Sequence, residues 1–349
     1  MSKGPGDLMA AEIAEQPEAV ARVVADPAPF REACARARGW GARFTIYAAR
    51  GTSDNAAVYG KYLAAIVGGM PAGMATPSAL TLYGADIDFR RCLVIGISQS
   101  GQTPDVAGYL GRARTGGAYT VAITNEQESP LAEAADFVLA TRAGAEQAVP
   151  ATKTYTTQLA ALAMLWAAWA KREDLIEALQ AEVAPAMRKV VGLEENVMGV
   201  ARRYRSTDRL LATARGFNYA TALEAALKLK ESCYLSVLAY SAADLMHGPV
   251  ALAGEDLPAL LFAARGPAYQ VMVDVAKDLQ GRGAELVVVG NGAQALELAG
   301  AAIELPEVAE ELSPLLAVLP AQLLAYHLAL EKGIDPDRPR GLRKVTPTT

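Results

Sequence analysis

The sequence predicts an α/β protein of two tandem domains, each a parallel sheet sandwiched by helices. Three observations predict it. Unbroken apolar runs such as Leu93–Ile97 are rich in β-branched residues and stop at polar turns, as strands buried on both faces do. Helix-like stretches follow these turns, so strand and helix signals alternate along the chain. The whole pattern then returns after about 165 residues, as a tandem duplication would give. Layers of this flavodoxin-like type hold their ligands at the carboxyl ends of the strands.

The 349 residues suit about two domains, and 52% apolar composition is ample for sizeable cores. A net charge of −5 gives no reason to expect nucleic-acid binding. No apolar run is read as reaching the length of a membrane span, and the N-terminus has no apolar signal core. The expected location is the cytoplasm, away from any membrane. Cys34, Cys92 and Cys233 are odd in number, scattered and set among apolar residues. They read as reduced core thiols, not as a disulfide framework or a metal site.

Met9 to about Asp26 reads as one amphipathic helix, and Phe30–Arg38 as a second. Phe44–Ala49 is a strand, Arg50-Gly51-Thr52-Ser53 a polar turn, and Asn55–Val67 a helix. Cys92–Ile97 is the next strand, followed by a second polar turn and a helix to about Thr115. Tyr119–Thr124 and Phe137–Ala140 are strands. Thr156–Arg172 is apolar enough for a buried helix serving core and dimer contact, and the more charged Asp174–Arg203 is a helical connector. In the second half Leu210–Ala214, Ala259–Ala263, Leu286–Val289 and Ala302–Leu305 are strands, Ala220–Tyr234 is a helix, and Ser313–Lys332 is a long apolar helix. Gly333–Thr349 is rich in Pro and charge and reads as an arm across the surface. The expected organisation is a helical lead-in over 1–40, a first domain over 41–175, a connector over 176–205, a second domain over 206–335 and an arm over 336–349.

The chain is organised around its second polar turn, Ser98-Gln99-Ser100-Gly101-Gln102-Thr103, which passes into Pro104 and Asp105 at a helix start. Hydroxyl groups, orphan backbone N–H groups and the positive end of a helix dipole gather there, and together they favour a phosphate. Gly101 lets the backbone approach an anion closely. The turn has no Lys and no Gly-Lys-Ser/Thr, so it is not a nucleotide P-loop. In the second half Ala264-Arg265-Gly266-Pro267 stands in its place, so the phosphate site is expected in the first half alone.

The second half carries different chemistry. Glu224, Lys228 and Glu231 are spaced by four and three residues and share one helix face. His247 is followed by Gly248-Pro249, which fixes a loop suited to a positioned acid or base. His327 lies in an apolar helix and reads as structural.

Taken together, Ser98–Thr103, Val149-Pro-Ala-Thr-Lys-Thr154 with Thr157-Gln158, Ala222–Glu231, His247-Gly-Pro249 and Pro339–Lys344 resemble the sugar isomerase (SIS) domain family. The resemblance is closest to the isomerase half of the glutamine–fructose-6-phosphate aminotransferases and extends to stand-alone SIS-type glucosamine-6-phosphate deaminases. It covers nearly the whole chain. It implies two SIS domains, a homodimer or larger oligomer, and a phosphosugar bound with no cofactor, metal or nucleotide. By this resemblance Ser98, Gln99, Ser100 and Thr103 hold the phosphate, with Thr52 and Ser53 nearby on the sugar. Val149 and Ala151 fall on a further substrate-binding loop. Glu231 matches the base that moves a proton between C1 and C2, and Lys228 and Glu224 belong to the same catalytic helix. His247 matches a residue that assists ring opening from the neighbouring subunit. Lys344 matches a lysine that can form a Schiff base with the open-chain ketose.

The sequence also departs from that pattern. Ala151 stands where the family has a sugar-contacting serine, Arg50 where it has a cysteine, and Gln102 where a glutamate is common. Ser2 stands where the synthase has its nucleophilic cysteine, so glutamine-derived ammonia is not expected here. The expected reaction is therefore release: glucosamine 6-phosphate and water to fructose 6-phosphate and ammonia. The alternatives are isomerisation or deglycation of another aminosugar or fructosyl-amine phosphate, and phosphosugar sensing without catalysis.

Overall fold

The computed structural model describes residues 4–344. It contains ten strands in two five-stranded, all-parallel sheets. The first comprises β1 (Phe44–Ala48), β2 (Ala72–Met74), β3 (Cys92–Ser98), β4 (Tyr119–Thr124) and β5 (Phe137–Ala140), in the order β2-β1-β3-β4-β5. The second comprises β6 (Arg209–Ala214), β7 (Ser236–Ser241), β8 (Ala259–Ala263), β9 (Leu286–Gly290) and β10 (Ala301–Glu304), in the order β10-β9-β8-β6-β7. Read from the other edge, the second sheet repeats the first strand for strand. Both are the doubly wound, flavodoxin-like order the sequence predicts.

The central strands form because their runs are apolar on both faces. Leu93 to Ser98 and all of β4, β8 and β9 are buried. Two strands escape sequence reading, β2 and β7, and both lie at sheet edges. β2 has only three residues, all half-buried, and β7 alternates weakly. Neither gives a periodicity long enough to register.

By internal contacts the chain forms two compact units. Among the described residues, the first-sheet unit comprises Glu18–Glu146, Lys153–Ala181 and 343–344, and the second-sheet unit comprises 4–17, Gln147–Thr152 and Glu182–Leu342.

In the first-sheet unit, helix Lys153–Ala170 is buried at every residue from Lys153 to Ala168, as a helix apolar all round should be. Its polar groups find partners nearby. The Trp166 indole N–H donates to the Tyr47 hydroxyl at 2.7 Å, which donates to the Gly60 carbonyl at 2.8 Å. The Gln158 amide donates to Ser53 Oγ at 3.0 Å.

In the second-sheet unit, helix Ser313–Glu331 plays the corresponding central role. With the turn before it, the stretch Glu310–Glu331 is long and apolar enough to cross a membrane, at a mean hydropathy of 1.4, but 94% of its most apolar part is buried in the protein. This corrects the expectation that no run reaches a span's length; here the apolarity is that of a core helix. The carboxylate of Asp337 accepts hydrogen bonds from the Leu8 and Met9 N–H groups at 3.0 and 2.8 Å, and Asp335 from Gly6 at 3.1 Å. Negative charge thus sits on the N-terminus of helix Asp7–Ala14 and pins it.

The stretch expected as one helix from Met9 to Asp26 is two, Asp7–Ala14 and Gln16–Val24. Pro17 has no N–H to donate and its ring would meet the Ile13 carbonyl. The expected connector helix from Asp174 to Arg203 is likewise divided, into Glu173–Ala178, a π-helical turn Leu179–Val183, Ala184–Val191 and Glu194–Arg203. Pro185 and Gly192 stand at two of these breaks. The arm read from Gly333 onward is anchored rather than loose up to Arg340. The Arg340 N–H donates to the Tyr234 hydroxyl at 2.7 Å, and its guanidinium lies 4.2 Å from that ring's centre. Residues 345–349 lie outside the described residues.

Cys34 and Cys233 are buried and Cys92 half-buried. Burial disfavours the thiolate and pushes the thiols of Cys34 and Cys233 up to about 12.

Candidate active site

In the first-sheet unit, the carboxyl end of β3 runs straight into the hydroxyl-rich turn. Ser98 Oγ accepts the Gly101 N–H at 3.1 Å and lies 3.2 Å from the Thr103 hydroxyl. Ser100 Oγ accepts the Gln102 N–H at 3.2 Å. The Gln99 carbonyl accepts the Asn125 N–H at 3.2 Å, tying the turn to the end of β4. Thr103 has extended backbone at the N-cap of helix Pro104–Thr115, without a side-chain cap, so that hydroxyl is not spent on its own helix. Four sequence-predicted residues therefore form one pre-shaped loop at a twelve-residue helix's positive end.

Gly101 makes that shape possible. Its φ is +63°, and a Cβ there would overlap the Ser129 hydroxyl and stand 3.2 Å from Thr124 Oγ1. We expect Gly101→Ala to weaken phosphosugar binding at least about tenfold, because relieving the overlap and the backbone strain must displace the loop. A wild-type KM in the folded variant would overturn this expectation.

β1 runs parallel beside β3, with Ala48 paired to Gly96, so the two turns that follow are neighbours at one sheet edge. Thr52 opens helix Thr52–Ile66, and the Ser53 hydroxyl is buried and held by Gln158. Two helix N-termini thus meet the same carboxyl edge. The helix expected from Asn55 thus begins at Thr52, so Thr52 and Ser53 form its first turn.

Lys344 also belongs to this unit. Its ammonium lies 2.6 Å from Oε2 of Glu146, whose side chain is fully buried. Glu146 is further held by Thr154, through the backbone N–H at 3.0 Å and the hydroxyl at 2.8 Å. Sequence reasoning passed over Glu146. It lies just ahead of the Val149–Thr154 motif, but its partner is 198 residues away.

The second-sheet unit holds the other predicted residues. On helix Tyr219–Cys233, the Lys228 ammonium lies 2.6 Å from Glu231 Oε2 and 3.4 Å from Glu224 Oε1. Glu224 and Lys228 are 0% and 1% exposed, while Glu231 is 25% exposed. The i, i+4, i+7 spacing puts all three on one face, as predicted, but that face is buried rather than solvated. A buried cation fixed between two carboxylates orients the one that reaches solvent.

His247 ends helix Ala242–Met246 and is exposed. Ser241 caps that helix, accepting the Asp244 N–H at 3.3 Å, and Gly248 turns the chain at φ +133°. Val149 and Ala151 are half-buried on the loop 147–152, where the Val149 N–H donates to the Asp337 carbonyl at 3.0 Å. His327 Nε2 lies 3.1 Å from Glu194 Oε1, and burial lowers its basicity, which fits a structural role.

The second sheet has glycine turns where the first has its loop, at Gly216 (φ +63°) and Gly266 (φ +149°). The space is filled from within. A Cβ at Gly266 would overlap the Glu310 carboxylate, and one at Gly216 would stand 3.8 Å from Glu310 Oε1. Burial and neighbouring Glu311 push the Glu310 carboxyl up. A side-chain carboxyl therefore occupies the space beside the turn that follows β8.

Comparison with known proteins agrees with this duplication. The SIS domain matches twice, over residues 41–168 and 203–332. The chain belongs to the SIS domain family. It is 36% identical over 303 residues to a glutamine–fructose-6-phosphate aminotransferase (isomerizing) of Pyrococcus horikoshii, covering 86% of this chain and 51% of that protein. The chain spans about half the length of the curated relatives it matches. Among solved structures, it resembles a "putative phosphosugar isomerase" of Silicibacter pomeroyi DSS-3 at 34% identity and TM-score 0.84, covering 94% of this chain and 99% of that one. The C-terminal domain of the Francisella tularensis glucosamine-fructose-6-phosphate aminotransferase matches at 26% identity and TM-score 0.85, covering 95% and 98% of the two chains.

Proposed function

We propose that this SIS protein is a phosphosugar isomerase, and that its reaction is the deamination of glucosamine 6-phosphate to fructose 6-phosphate. The observation that carries the reading is the Glu224–Lys228–Glu231 triad, in which one carboxylate is held to a buried ammonium yet reaches solvent. A binding module needs the hydroxyl loop alone; it has no use for a buried charge cluster that orients a base.

In the proposed reaction the hydroxyl loop of Ser98, Ser100 and Thr103 binds the phosphate and so anchors the sugar away from its reacting carbons. Ring opening needs a proton moved to the ring oxygen, the role assigned to His247. Glu231 takes the proton from C2, giving a C1–C2 enolamine, and returns it to C1. C1 becomes CH2OH as the former aldehyde oxygen gains a proton, and C2 becomes an iminium carbon. Water adds to C2, the C2–N bond breaks and ammonia leaves, so one water is consumed for each ammonia released. Lys344 supplies either an amine for a Schiff base at the ketose carbonyl or positive charge beside it. We further propose that His247 acts on the active site of a second copy of this chain. Exposed Met246 and Leu252 flank it, as interface residues would.

The test is ammonia and fructose 6-phosphate assayed together from purified protein given glucosamine 6-phosphate. Equimolar appearance of both supports the proposal. Binding without ammonia overturns deamination and favours isomerisation of another phosphosugar. Binding without turnover of any hexose or aminohexose phosphate overturns the enzyme reading.

A further inference from the structure

The two turns at the carboxyl edge of the first sheet, Arg50–Asn55 and Ser98–Asp105, contain one cationic side chain, Arg50, and two carboxylates, Asp54 and Asp105. A phosphate dianion placed there meets two negative charges and hydroxyl dipoles. Arg50 is the cationic side chain of these turns that offsets part of this charge.

Its position is set by the fold. Ala48 of β1 pairs with Gly96 of β3, and two residues further on lie Arg50 and Ser98, at the start of their respective turns. The Arg50 carbonyl accepts the Ser53 N–H at 3.1 Å and so closes the first turn of helix Thr52–Ile66. Its guanidinium reaches across to helix Pro104–Thr115, where Nη2 lies 2.6 Å from Asp105 Oδ2. The Asp105 side chain is 2% exposed and that of Arg50 44%. The buried carboxylate therefore fixes an arginine whose other edge faces solvent. Nη1 points to the Ala49 carbonyl at 3.4 Å. A guanidinium has five N–H donors, so two such contacts leave donors for a phosphate oxygen. Asp54 also lies within the field of Arg50: burial raises its carboxyl and Arg50 counters part of that rise.

We propose that Arg50 is a phosphosugar-binding residue, with its guanidinium pinned by Asp105 so that its free edge contacts the phosphate group held by the Ser98–Thr103 loop. The proposal rests on the phosphosugar reading of that loop. Arg50 acts on binding, so its loss raises KM. It also makes binding selective for phosphorylated over neutral sugars.

The competing role for Arg50 is to neutralise Asp105 and nothing more. A double-mutant cycle separates the two. Steady-state kinetics and direct binding of glucosamine 6-phosphate are measured for Arg50→Met, Asp105→Asn and the double variant, with thermal unfolding as the check on folding and Ser98→Ala as the control. Loss of a charge-assisted contact should weaken binding roughly 10- to 100-fold in Arg50→Met, and the double variant should remain as weak. Recovery of affinity in the double variant would show Arg50 to be only a counter-charge and overturn the proposal. So would unchanged affinity in Arg50→Met while Ser98→Ala loses it. Unchanged affinity in both variants would instead remove the phosphosugar reading of the loop. Should Arg50→Met not fold, Arg50→Lys carries the same test: it keeps a charge but cannot bridge Asp105 and a phosphate with one planar fork, and an intermediate loss of affinity is expected.

Discussion

Glu231→Gln is expected to lower turnover of the phosphosugar roughly 10²- to 10⁴-fold, with binding near wild type. The substitution keeps the side chain's size and its place at 2.6 Å from the Lys228 ammonium, since an amide oxygen still accepts that hydrogen bond. What it removes is the basic oxygen that the proposed reaction uses to take a proton from C2. The proposed reaction assigns binding to the hydroxyl loop, which belongs to the other compact unit of the chain. Direct binding of glucosamine 6-phosphate beside a turnover assay checks both halves of the expectation. Turnover within about threefold of wild type would remove Glu231 from the mechanism, and turnover and binding lost together would make it a structural residue.

Lys228→Met should be the most destabilising of the substitutions considered, by about 3–5 kcal/mol. The lysine is 1% exposed and its ammonium lies between two carboxylates, one of them fully buried. Methionine fills much the same volume but leaves buried negative charge without this cation. Chemical denaturation measures the loss as a lower midpoint at unchanged slope. A loss under about 1 kcal/mol would show that desolvating the lysine already offset most of the attraction in the native protein. Lys228→Met/Glu224→Leu should recover part of the loss, because it removes the buried carboxylate along with the buried ammonium.

Much of the fold is legible in the sequence because the signals are local. The eight predicted strands carry apolar runs or sit in a duplicated pattern, and their parallel order follows from helical crossovers between them. The hydroxyl loop shows itself in the same way, as a polar cluster at a strand end with glycine where the chain must turn left-handed. The helix face of Glu224, Lys228 and Glu231 follows from spacing alone. Its burial does not, and a run of charges reads more readily as a solvated face. Helices divide at Pro17 and near Pro185, where the apolar periodicity alone runs on.

By itself, the sequence determined the duplicated parallel-sheet architecture, the hydroxyl-rich turn after Ile97 and the shared helix face of Glu224, Lys228 and Glu231. Each depends on residues within one turn or one helix of each other, where backbone periodicity alone sets who is neighbour to whom. Only the tertiary structure decided the edge strands β2 and β7, whose place comes from the strand beside them. It also decided that Glu146 receives Lys344 from 198 residues away and that Asp105 pins Arg50. These are meetings of charged groups far apart in the chain, and which charges meet is set by the path of the folded backbone, on which sequence spacing is silent.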